Sequence, residues 1–148
     1  MNTFRAFWEE LDQRMIRLMS GYGIRLLRVC LGTVFLWFGV LKVLGQSPVA
    51  ELIAHTVYWF PADRFVPLLG VWEIVVGVGL LLGRALRVVL FLFWLQMAGT
   101  FLVLVVKPDV AFQGGNPLLL TTEGEFVITN LVLIAAGIVV GGTVQRRG

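Results

Sequence analysis

One cysteine and one histidine, Cys30 and His55, occur among the 148 residues, and each scarcity removes a branch of chemistry. A lone cysteine closes no internal disulfide and forms no CxxC pair, so dithiol chemistry within the chain is excluded. Cys30 is expected to be packed as a small hydrophobe. A lone histidine rules out bis-histidine haem ligation and a histidine-rich metal centre, so no metal site is expected. Charge is scarce as well. Only 14% of the residues are charged and 58% are hydrophobic, outside the balance of a soluble domain. The chain carries no P-loop, nucleophile elbow or zinc-protease motif. With no complete catalytic constellation, it is not expected to be an enzyme alone. The start lacks a short apolar core followed by a small-residue cleavage site, and the N-terminus is therefore expected to be kept.

What remains is long apolar runs. A helix needs roughly 20 apolar residues to cross the hydrocarbon layer, and the pattern predicts spans over about residues 26–44, 65–82, 85–106 and 126–142. Ahead of them, Phe4, Phe7, Trp8, Leu11, Met15, Leu18 and Met19 recur at spacings of three and four, with charges mostly on the other face. That is an amphipathic helix of the kind that lies in a membrane interface. Gly21 and Gly23 are expected to bend the chain from it into the first span. The predicted fold class is thus an all-α integral membrane protein: an interfacial helix over residues 1–22 and a four-helix transmembrane bundle over 23–148.

The connector between the first two spans carries Ser47 and Pro48 as a helix-start signal and the aromatics Tyr58, Trp59 and Phe60, so a short interfacial helix is expected there. Gly83 and Arg84 allow only a hairpin between the second and third spans. Thr122 and Glu125 have capping-box spacing ahead of the fourth.

Basic residues set the orientation. Arg5, Arg14, Arg17, Arg25, Arg28, Arg84, Arg87, Arg146 and Arg147 fall on one side of the membrane, and Lys42, Arg64 and Lys107 on the other. Both termini are expected in the cytoplasm, with the chain multi-pass in the plasma (inner) membrane. The pI near 9.6 therefore reflects topology, and no nucleic-acid partner is expected.

Polar residues inside the spans are few. Arg28, Gly32, Phe35, Gly39 and Lys42 share one stripe of the first helix, which should face the bundle. Its glycines permit close helix approach, and its two cations lie about 21 Å apart at 1.5 Å per residue. They either snorkel to opposite interfaces or serve the carboxylate of Glu73. That residue sits near the middle of the second span, flanked by Gly70 and Gly77. An unpaired carboxylate at this depth costs roughly 3 kcal/mol on insertion scales, so Glu73 should be protonated, paired or hydrated, with Lys42 or Arg28 as partner. Two readings stand: a binding or proton-handling site, and a structural ion pair that fixes helix register. Gln96 with Thr100, and Thr129 with Asn130, are expected to make interhelical hydrogen bonds.

Taken in order, Arg28 and Gly32, the run Phe35–Lys42, Glu73 with Gly77, the run Leu80–Gly83, and Pro117–Leu120 leading into Gly124–Leu133 resemble the DoxX-like family of four-helix membrane proteins. Within that family the chain is most similar to the YkgB-like branch, which includes reactive chlorine resistance proteins. The resemblance covers about residues 22–142 and departs from the family pattern at Thr129 and Asn130, where basic and acidic residues are frequent. It implies a membrane component linked to quinone or sulfur oxidation or to oxidative-stress defence. Three functions follow as expectations. The first is a redox-linked or protective protein whose Arg28, Lys42, Glu73 and Gln96 line a pocket for a quinone-like, lipid-soluble ligand. The second is an accessory subunit packed on a larger membrane complex. The third is an oligomeric proton-coupled transporter, since one such bundle has too few helices to enclose a path. A membrane-protein partner or a homo-oligomer is expected besides the lipid.

Overall fold

In the computed structural model, which describes residues 2–144, the chain is helical from Asn2. The elements are α1 (Asn2–Val43), α2 (Ala50–Thr56), α3 (Ala62–Leu82), α4 (Leu86–Val106), α5 (Pro108–Ala111), a short 3-10 turn at Gln113–Gly115, and α6 (Thr122–Gly141). Among the described residues there is no strand beyond one isolated bridge between Phe112 and Leu120. Helices α1, α3, α4 and α6 are long and apolar enough to cross a membrane. Their outward faces carry large apolar side chains, Trp37, Phe91 and Val132 each about two-thirds exposed, a surface that belongs in lipid. Cys30 lies on this outward surface as well and is not packed. The chain is an all-α membrane protein. Of the basic residues counted for orientation, Arg146 and Arg147 lie outside the described residues.

The bend expected at Gly21 and Gly23 does not occur. Helix α1 runs unbroken for 42 residues, about 63 Å at 1.5 Å per residue and twice the roughly 30 Å hydrocarbon thickness. Glycine in a helix costs about 1 kcal/mol against alanine but keeps its N–H in the ladder. No proline precedes Pro48, so nothing in this stretch removes a rung. Of the stretch expected as a separate helix over residues 1–22, the described part from Asn2 onward runs in one helix with the first span, and Phe4, Trp8, Met15 and Leu18 stand uncovered along it.

The other boundaries follow local chemistry. Helix α3 ends on Gly83 in the left-handed conformation (φ 65°), the usual helix stop for a residue without Cβ. Ala85 (φ 49°) completes the hairpin into α4. The cap of α6 is Thr121 rather than Thr122: its hydroxyl accepts from the Gly124 N–H at 3.0 Å and donates to the Val110 carbonyl at 2.5 Å. With the helix starting one residue earlier than expected, Glu125 falls outside the capping-box position.

Two apolar clusters anchor the bundle. The larger, at the α3–α4 hairpin end, centres on Phe93, with Phe35, Val76, Leu80 and Val140 around it. The smaller lies under α2 and joins Leu52, Val103 and Val127. Between the two clusters the core is not filled.

Candidate functional site

The site begins with how closely α1 meets α3. A Cβ added to Gly39 would lie 2.6 Å from the Gly70 carbonyl oxygen, and one added to Gly77 would lie 2.8 Å from the Gly32 carbonyl oxygen. The helices are antiparallel and touch backbone to backbone at two glycine pairs seven residues apart on each. Gly32, Gly39, Gly70 and Gly77 thus form the seam.

This register brings Lys42 and Glu73 together. Lys42 lies three residues beyond Gly39 toward the α2 end, and Glu73 three residues beyond Gly70 toward the hairpin end, leaving about 9 Å between them along the axis. Side chains tilt toward the N-terminus of their own helix, and on antiparallel helices these two tilts converge. The Lys42 ammonium donates to Glu73 Oε2 at 2.7 Å and to Oε1 at 3.0 Å. Both residues are buried, at 3% and 6% exposure. From α4, Gln96 Nε2 donates to Glu73 Oε1 at 2.6 Å.

Arg28 does not join them. The same tilt carries its side chain away from Glu73, and its guanidinium lies against the turn at Gly83, where an added Cβ would sit 2.7 Å from Nη1. That position at the carboxyl end of α3 suits a cation, although its Nε is buried without a partner. Of the four residues expected at the site, Lys42, Glu73 and Gln96 converge and Arg28 stands apart.

Most of the other polar side chains turn inward on their own helices. Thr100 donates to the Gln96 carbonyl, Thr129 to that of Glu125 and Asn130 to that of Phe126. The interhelical bonds expected of them are not made. Bonding to the carbonyl four residues back satisfies such groups in lipid without a second helix. A crossing bond that the sequence reading missed is made by Trp72, whose indole N–H donates to the Leu92 carbonyl at 3.3 Å. No signal in the sequence marks it.

The polar trio forms one wall of a cavity of about 500 Å³. The cavity occupies the unfilled region between the two apolar clusters, roofed by α2 and walled by α3, α4 and α6. Its lining is mostly apolar, including Phe35, Leu69, Trp72 and Leu133, with Asn130 as a further polar group. Hydrogen-bonding capacity of the trio is left over. Both hydrogen bonds of the Lys42 ammonium go to Glu73, and it also lies 5.8 Å over the Phe38 ring. Gln96 Nε2 uses one of its two N–H groups, and Gln96 Oε1 is buried with no donor. The trio therefore offers N–H donors and one acceptor beside an apolar chamber.

Residues 23–106, more than half the chain, match the DoxX family model. The chain belongs to the DoxX family. No curated protein and no solved structure matches it. The DoxX match takes in Arg28, Lys42, Glu73 and Gln96, all four glycines of the seam and the whole of α2, α3 and α4, and it ends before Asn130 and α6. Among the described residues no group of histidine, cysteine and acidic side chains is arranged to hold a metal.

Proposed function

We propose that this DoxX protein binds a quinone-like, lipid-soluble molecule in its intramembrane cavity and serves as a redox-linked or oxidative-stress protective component, in keeping with the YkgB-like branch. The observation that carries the reading is the unpaired acceptor of Gln96, beside the Lys42 ammonium, on the lining of an apolar chamber of about 500 Å³. An apolar pocket with a few convergent polar groups is how such molecules are held. A ring carbonyl accepts from Lys42, and a ring hydroxyl donates to Gln96, so both oxidation states find a partner. The chain's role is to bind and orient.

The test is purification of the tagged full-length chain from native membranes, followed by solvent extraction and mass spectrometry. Quinone is expected to co-purify in near-stoichiometric amount. Gln96→Met should lower the retained quinone by about tenfold, the cost of one polar contact, while the Lys42–Glu73 pair keeps the fold. Wild-type protein free of quinone but holding a stoichiometric protein partner would favour a second reading, an accessory subunit. The uncovered apolar stripe on the first turns of α1 is the observation on that side.

The reading also places the chain in the plasma membrane with both termini cytoplasmic, supported by the distribution of basic residues. In a Cys30→Ser background, a cysteine at position 55 is expected to react with an impermeant maleimide from outside intact cells. One at position 84 should react only after permeabilisation. The reverse pattern would invert the topology.

A further inference from the structure

Resting on the reading above, the ligand's shape can be taken further from the way the cavity opens. Trp72 and Glu73 of α3 are tied to α4 through the Leu92 carbonyl and Gln96. One turn farther toward the α2 end the helices are no longer joined by a side-chain hydrogen bond. There Leu68 on α3 faces the stripe Leu95, Gly99 and Leu102 on α4. All four line the cavity and all four are also exposed on the outer surface. Residues that do both mark an opening. Trp59 in the α2–α3 connector and Phe38 on α1 also do both, but each stands alone, whereas these four are contiguous across two neighbouring helices and mark a mouth. Gly99 stands at its centre, and a Cβ built there meets nothing within 4 Å.

The depth of the mouth decides what it opens onto. Leu68 lies six residues in from the start of α3, and Gly99 seven residues in from the end of α4. Both are roughly 9 to 11 Å inside the helix ends. Each helix has 21 residues and thus about the length of the hydrocarbon layer, so the mouth faces acyl chains rather than water or headgroups. From the aqueous side, α2 covers the chamber with Leu52, Ile53 and Thr56. On the far side, the rings of Phe38 and Phe126, 6.2 Å apart, stand between α1 and α6.

We infer that the ligand is an amphiphile with a long hydrocarbon chain, its polar ring at Lys42 and Gln96 and its chain leaving the bundle between Leu68 and Gly99 into the lipid. The chain never passes through water. The cavity then need hold only the ring and the first part of the chain, and the rest keeps the solvation it had in the bilayer.

Two probes test this on the full-length chain in lipid nanodiscs. One is a dimethoxy-methyl-benzoquinone with a decyl chain ending in a diazirine; the other is the same ring bearing the diazirine directly and no chain. After irradiation, labelled peptides are mapped by mass spectrometry. The ring probe is expected on residues around Gln96, and the chain probe on Leu68, Leu95 or Leu102. Gly99→Leu narrows the mouth and should reduce labelling by the chain probe about tenfold, an overpacking cost. It should leave the ring probe within twofold, because at equilibrium only a ligand that occupies the mouth when bound is affected. Gly99→Ala should fall between them. Ring labelling near Gln96 with chain labelling at Phe38 and Phe126, or equal loss of both probes in Gly99→Leu, would overturn the inference and leave the binding reading standing. No cavity labelling by either probe would remove both.

Discussion

Lys42→Met is expected to destabilise the bundle by roughly 3 to 5 kcal/mol, the usual result of stranding one member of a buried ion pair. The carboxylate of Glu73, 6% exposed, would retain only Gln96 as a donor. Reversible unfolding in mixed detergent micelles, or steady-state abundance in the membrane, measures the loss. Glu73→Gln strands the ammonium instead and should cost a similar amount. The double variant Lys42→Met with Glu73→Gln removes both charges and should recover most of the stability, since replacing an intact buried pair with neutral groups of similar volume is often close to neutral. Arg28→Met with Glu73→Gln should give no such recovery, because Arg28 lies at Gly83, away from the pair. The double variant also separates two roles. If it regains abundance and retains quinone, the pair serves register alone; regained abundance without quinone assigns the pair to the ligand.

The second large effect is expected at the α1–α3 seam. Gly39→Ala places a methyl group 2.6 Å from the Gly70 carbonyl oxygen and 2.8 Å from the Ile74 amide nitrogen. Both are backbone atoms, so a helix must shift as a whole. A loss of about 1 to 3 kcal/mol is expected, with a similar one for Gly77→Ala, read by the same unfolding assay. Gly99→Ala supplies the contrast. The chemical change is the same, but nothing lies within 4 Å, and up to about 1 kcal/mol should be gained from the helix preference of alanine. Equal effects at positions 39 and 99 would mean that the seam does not depend on backbone contact.

These expectations show where sequence and structure part company. The stripe Gly32, Phe35, Gly39 and Lys42 was legible because helical spacing alone fixes which residues share a face, and all four are buried against the bundle. Glu73 was legible because a carboxylate in the middle of an apolar run must find a partner. The identity of that partner was not. It depends on the register of two antiparallel helices and on the direction in which side chains tilt, neither of which residue counting along one helix contains. The cavity was equally hidden, since a void is a property of how four helices diverge. The bend at Gly21 and Gly23 failed for a local reason: two glycines lower helix preference without removing a backbone donor, and a continuous hydrogen-bond ladder carries through them. Thr121 escaped notice because Thr122 stands beside it with the same chemistry.

The ion pair sits on consecutive spans. Lys42 closes α1, and Glu73 arrives on α3, the next helix to enter the membrane. The two groups that cost most to transfer into lipid are thus made within a few dozen residues of each other. A glycine seam that needs no third helix holds their two spans together. The contact between the two charges uses no atom of α4 or α6, so the pair can close once these two spans lie side by side in the bilayer. The early half of the chain can wait in the bilayer without exposing a lone charge, and Gln96 and the walls of the cavity are added to a core already assembled.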